Sequence, residues 1–108
     1  MASIQWKKGM LVRQDSDARL DYALILTDWL GLNPDTPQDK PDFIISHVIT
    51  SDAEFAPATV VFSTYGDDKD LVYFWLSDLT VSQTITIQVT TNNGRTDDFS
   101  IYFETTEK

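Results

Sequence analysis

The sequence contains no cysteine. That excludes a disulfide framework, a thiolate metal site and a thiol nucleophile. Histidine is almost as scarce. His47 stands alone inside an apolar run, and no acid or nucleophile flanks it at the spacing of a catalytic pair. It reads as a satisfied or half-exposed strand residue. Gly-rich phosphate loops, paired metal-ligand motifs and a Gly-x-Ser-x-Gly elbow are missing as well. These residues suggest no enzyme and no cofactor. Long apolar runs are also lacking: no window nears the ~20 residues of a membrane span. The opening "MASIQWKKGMLVRQ" has no apolar stretch behind its lysines, as a signal peptide would. The expectation is a soluble protein made in a cytoplasm, with no membrane partner.

Positive charge is in short supply. Lys and Arg number 8 against 17 Asp and Glu, a net charge of −9. A phosphate backbone would be repelled, so nucleic acid is not an expected partner. The charge is unevenly spread, because Lys7, Lys8 and Arg13 all precede the first acid, Asp15. Residues 1–13 therefore read as a basic arm or an edge strand, ahead of a single domain over 14–108. Such an arm is either a solvated tail or a dock on the acidic face of a neighbouring copy, since opposite-sign patches steer association. A chain of 108 residues fits one domain and can bury a core without staples.

What the chain does have is strand signal. β-branched and aromatic residues form short runs punctuated by Gly, Pro and Asp. The runs are 19–27, 43–51, 59–65, 71–77, 84–91 and 96–105, with a weaker one near 4–13. A helical turn over 28–31, "DWLG", ends at Gly31. Pro34, Pro37 and Pro41 make 32–42 a loop crossing between sheets or edges, or a short surface lobe. About seven short strands with turns between them predict an all-β, immunoglobulin-like antiparallel β-sandwich.

The stretch "ITIQVTTNNGRTDDFSIYF" alternates strictly on both sides of Asn93-Gly94. Ile85, Ile87 and Val89 share one face, and on the return strand Phe99, Ile101 and Phe103 face inward with them. A slip of one residue would expose all six, so the register is strongly set. The Asn93-Gly94 pair is expected to supply positive φ at the turn. The run "LVYFWLS" is apolar on both faces. Val72, Phe74 and Leu76 suit a core. Leu71, Tyr73 and Trp75 then need cover, either from this chain's loop 32–42 or Trp6, or from another chain. Exposed aromatic anchors suit a protein–protein contact.

Carboxylates cluster at Asp15-Ser16-Asp17, at Asp67-Asp68-Lys69-Asp70 and at Asp97-Asp98. Calcium sites use such oxygen sets, but no EF-hand spacing is present, and the clusters read as turn acids. Arg95 is the one basic residue between Lys69 and Lys108. It is either a solvated turn residue or an anchor on an acidic neighbour.

Several pieces together resemble a family. They are "LDYALILTDWLG", the run with Ile44, Ser46 and Val48, "FWLS" from Phe74 to Ser77, and "TTNNGRTDD" from Thr90 to Asp98. In order and spacing they look like the small immunoglobulin-like fibre–tail adaptor proteins of tailed bacteriophages. The resemblance spans most of the chain, from about residue 12 to 105. It implies a structural virion protein in the tail or neck region, made in the bacterial host cytoplasm. It also implies copies arranged in a ring, contacts with tail, neck and fibre proteins, and no catalytic residues. Trp6, Lys7, Lys8, Arg13, Tyr73, Trp75 and Arg95 are the candidate interface residues. A capsid-surface cement protein, or a calcium- or sugar-binding sandwich module, are the alternatives.

Overall fold

The computed structural model describes residues 2–31, 43–64 and 70–106. Among these residues are eight strands and one helical turn. The strands are β1 (Ala2–Gln5), β2 (Leu11–Asp15), β3 (Leu20–Ile25), β4 (Ile44–Ser51), β5 (Thr59–Thr64), β6 (Leu71–Ser77), β7 (Gln83–Thr91) and β8 (Thr96–Thr106), with α1 (Thr27–Gly31) after β3. The expected loop over 32–42 and most of the acidic turn 66–70 lie outside the described residues.

Two four-stranded sheets face each other, with orders β1-β3-β6-β5 and β2-β8-β7-β4. The all-β sandwich is as the alternation predicts. The sheets are mixed rather than purely antiparallel, because β1 runs parallel to β3 and β2 runs parallel to β8. An immunoglobulin-type sandwich places strands A, B, E and D in one sheet and C, F and G in the other. The membership here is comparable, but the parallel β1 departs from an antiparallel pattern.

The N-terminal run is the largest difference from expectation. It forms two strands, one in each sheet, not a single strand near 4–13. The break is a turn in which Met10 N donates to Lys7 O at 3.2 Å. Gly9 sits there at φ 78°, a left-handed conformation that other residues adopt only at a cost. The turn lets Ile4 fill one sheet's inner face while Val12 and Gln14 reach the other.

The core is built where the alternation puts it. Ile85, Ile87, Val89, Phe99, Ile101 and Phe103 are all buried, as are Val72, Phe74 and Leu76. Fully burying a side chain of this size stabilises by about 1.5–3 kcal/mol. The β7–β8 register, with Ile85 opposite Ile101 and Ile87 opposite Phe99, is the one the pattern requires.

The hairpin tip differs in detail. Gly94 alone has positive φ, 86°, and Asn93 does not share it. Gly94 N donates to Thr91 O at 3.0 Å and Thr91 N to Arg95 O at 2.8 Å. This is a three-residue loop with a glycine bulge, not a two-residue turn, so one left-handed residue suffices. Strand β4 also breaks simple alternation. A bulge between Ile44 and Ser46 resets its parity. Ile44 therefore points inward while Ile45 and Val48 are exposed.

Candidate interaction surface

The candidate residues gather on two surfaces and an edge. The first surface is the end of the sandwich at the β1–β2 turn. Trp6 follows β1 and meets Phe99 edge-on, with ring centroids 5.3 Å apart. Its indole Nε1 donates to Ser100 O at 3.1 Å. Trp6 thus seals the part of β8 upstream of where β2 pairs with it; it does not cover the outer face of β6. The reason is register: β2 first meets β8 at Leu11 and Tyr102, so the β8 backbone before that point needs another partner.

Trp29, on α1, meets Phe99 from another side at 5.2 Å, again edge-on. Arg95 then lies over Trp29, its guanidinium carbon 4.1 Å from the ring centroid. Its Nη1 donates to Trp29 O at 3.2 Å. A cation over an indole contributes about 0.5–2 kcal/mol. The hairpin tip is therefore tied to α1 through Arg95, which is half-buried. Lys7 and Lys8 are exposed in the turn beside this stack. Arg13 sits apart, on the outer face of β2, opposite Glu104 and 3.3 Å from its carboxylate.

The second surface is the outer face of the β1-β3-β6-β5 sheet. Its centre is a row in which Phe62, Trp75 and Asp21 lie side by side on β5, β6 and β3. Phe62 is 55% exposed, while Tyr73 and Trp75 are half-buried. Arg19 reaches over Trp75, 5.5 Å from its centroid. Tyr73 Oη donates to Asp21 Oδ2 at 2.9 Å. That hydrogen bond holds the Asp21 carboxyl below the usual carboxylate range. Loss of water raises the Tyr73 hydroxyl above its ordinary value, and its bond to Asp21 adds to this.

Sequence reasoning found Tyr73 and Trp75 but missed Phe62 and Arg19. A bulge between Val60 and Phe62 turns Phe62 outward, and bulges leave no clear mark in an apolar run. Arg19 lies ahead of a strand start and reaches Trp75 only through the β3–β6 pairing.

At the β4/β5 edge, His47 Nε2 and Ser63 Oγ are 2.9 Å apart and join the two sheets. Burial lowers the His47 pKa from its ordinary 6.5. The acidic pairs act as local turn acceptors: Asp17 N donates to Asp15 Oδ1 at 2.8 Å, and Asp98 N to Asp97 Oδ1 at 2.9 Å. Among the described residues, no three His, Asp or Glu side chains gather as a metal site would require.

These surfaces offer aromatic and charged contact. Residues 14–104 match the family model described as podophage GP4 fiber-tail adaptor protein gp77. The chain belongs to this family. The match covers both sheets from the end of β2 to the body of β8, and it gives the protein a structural role in a phage. A comparison with curated proteins gives no match.

Proposed function

We propose that this chain is a non-enzymatic adaptor that joins fibres to the tail or neck of a podophage virion through surface contacts. It acts as one domain, repeated around a ring, with the basic turn and the Trp75 face as its contact surfaces. The observation that carries the reading is the family match over residues 14–104. The exposed aromatic row fits it: Phe62 and Trp75 lie side by side on an otherwise acidic protein. Aromatic side chains of this kind anchor protein interfaces at low cost in rotamer freedom. Trp6, Lys7, Lys8, Arg13, Tyr73, Trp75 and Arg95 are the proposed interface residues. Trp6 and Arg95 also brace the fold, through Phe99 and Trp29.

The test is completion of particles in vitro. Phage particles that lack this chain are mixed with the purified protein and with fibres, and attached fibres are counted by negative-stain microscopy. Fibres should attach only when the chain is added, and the chain should appear in the tail or neck. Density on the capsid shell instead would replace the adaptor reading with a cement protein. A Trp75→Ala variant should fold and attach fibres at less than a tenth of the wild-type level.

A further inference from the structure

The most exposed large apolar side chain among the described residues is Phe55, at 80%. It lies at the tip of the loop joining β4 to β5, in "DAEFAPA". Asp52 and Glu54 precede it, and both are exposed.

The loop is braced. Asp52 N donates to Thr84 O at 3.1 Å, and Thr84 N donates back to Asp52 Oδ1 at 2.8 Å. Ala53 N donates to Ser51 Oγ at 3.1 Å. On the far side, Ala58 N donates to Oε1 of the buried Gln83 at 2.8 Å. Next to Phe55, Ala56 is held at φ 55°, a left-handed conformation that costs an alanine about 1–2 kcal/mol. A strained residue persists only when its surroundings over-determine it. Phe55 is thus presented to water by a loop that has already lost its freedom, which lowers the ordering cost of a docking event.

An exposed basic pair lies at the opposite end of the molecule. The β4–β5 loop lies at the end where β3 begins, since Thr59 pairs with Ser77 and Leu76 with Leu20. The β1–β2 turn lies at the end where β3 finishes, since Gln5 pairs with Ile25. That turn carries exposed Lys7 and Lys8 beside the half-buried Trp6. Copies of a chain with net charge −9 repel unless opposite signs meet at the contact.

We propose that the Phe55 loop of one copy docks on the Lys7–Lys8 turn of the next. Phe55 packs against the Trp6 side of the turn, and Glu54 and Asp52 face the two lysines. The contact is heterologous, so it propagates head to tail and closes into a ring if its rotation allows. This rests on the ring-forming adaptor reading above and names the surfaces that make the ring.

The experiment is sedimentation velocity of the full purified chain over a wide concentration range, at low and high salt. Wild type should self-associate, more weakly at high salt. Phe55→Ser and Glu54→Lys should each weaken association at least tenfold without lowering the melting temperature, because both side chains are exposed. A Lys7→Glu/Lys8→Glu chain should be equally weak, and adding Glu54→Lys to it should restore association in part. A wild type that stays monomeric, or variants that associate like wild type, would overturn the proposal. Particle completion distinguishes the two readings. If monomeric wild type still attaches fibres, the adaptor reading stands and the self-docking falls. If Phe55→Ser blocks attachment without altering self-association, the loop docks on a different virion protein, and the self-docking falls again.

Discussion

Gln14 offers a sharp test of how the two sheets are joined. It sits on the edge strand β2, yet its side chain is only 1% exposed because it crosses the interior. Its Nε2 donates to Leu76 O of the facing sheet at 3.1 Å and to Ala18 O at 3.2 Å. Its Oε1 accepts from Tyr22 Oη at 2.6 Å. Tyr22 in turn packs on Phe74 and Phe103, with centroids 5.6 and 5.3 Å away. Gln14→Leu keeps the volume and removes all three hydrogen bonds. Each contributes roughly 1 kcal/mol net, and a buried hydroxyl left unpaired costs about 1–3 kcal/mol more. Added apolar burial by leucine offsets about 1 kcal/mol. The expected loss is about 3–5 kcal/mol, or roughly 13–22 °C in melting temperature for a domain of this size. Tyr22→Phe alone should cost about 1–2 kcal/mol. The double variant should be less damaged than the sum by about 1–2 kcal/mol, because the Tyr22 hydroxyl that Gln14→Leu alone leaves unpaired is then gone. Urea unfolding of the four proteins measures this. A Gln14→Leu loss below about 0.5 kcal/mol, or strict additivity, would refute the account.

Other outcomes follow from the same geometry. Burial, with a smaller contribution from the Asp21 charge, pushes the Tyr22 hydroxyl up to about 12. The unfolded chain then loses that proton first, so stability should fall as pH rises from 10 towards 12; Tyr22→Phe should flatten the decline in alkaline melting curves. His47 works in the opposite direction, since burial lowers its pKa. The unfolded state binds that proton more readily, so stability should drop as pH falls below about 6.5, and His47→Gln should remove this part of the acid dependence. Gly94→Ala places a Cβ at φ 86° with nothing within 4 Å of it. The cost is therefore backbone strain alone, about 1 kcal/mol by denaturant melting. Arg95→Ala removes the stack on Trp29 and the bond to its carbonyl. It should cost about 1–2 kcal/mol and shift tryptophan fluorescence, with Arg95→Lys recovering only part.

The sandwich was legible because its strands alternate with period two. Strand β6 falls on residues 71–77 as expected, and the β7–β8 core face is the one that alternation demands. The departures share a physical origin. Ile45 and Phe62 point outward because bulges at Ile44/Ser46 and Val60/Phe62 reset parity, and an apolar run reads the same with or without a bulge. The split of the N-terminal run depends on Gly9, whose φ of 78° matters only once both sheets exist to receive Ile4 and Gln14. The surface was half legible for the same reason. Tyr73 and Trp75 stand out as surplus apolar residues on one strand, whereas Arg19 and Phe62 join them only through pairing between strands. Phe55 carried a local mark, an aromatic just after two acids and ahead of a proline, that periodicity does not register.

The four sheet edges narrow how such a protein can make contacts. An open edge is a template for pairing with another chain, and natural edges are blunted by shortness, charge or bulges. Here β1 has 4 residues and β2 has 5, and β2 carries Arg13 and Asp15. The other two edges, β4 and β5, have no charged side chain at all. Each instead contains a bulge that interrupts the regular ladder. A bulge adds twist and spoils the flat register that strand addition needs. Every edge thus has its own obstacle to strand pairing, and uncharged strands survive in a chain that must not polymerise indiscriminately. The contacts proposed above accordingly use side-chain surfaces, namely the Trp75 face, the Phe55 loop and the Lys7–Lys8 turn. An inserted proline tests the division. At Val61, the bulged residue of β5, Val61→Pro should leave association unchanged if contact is made by side chains. Loss of association with the fold intact would show that the β5 edge itself is paired in the assembly.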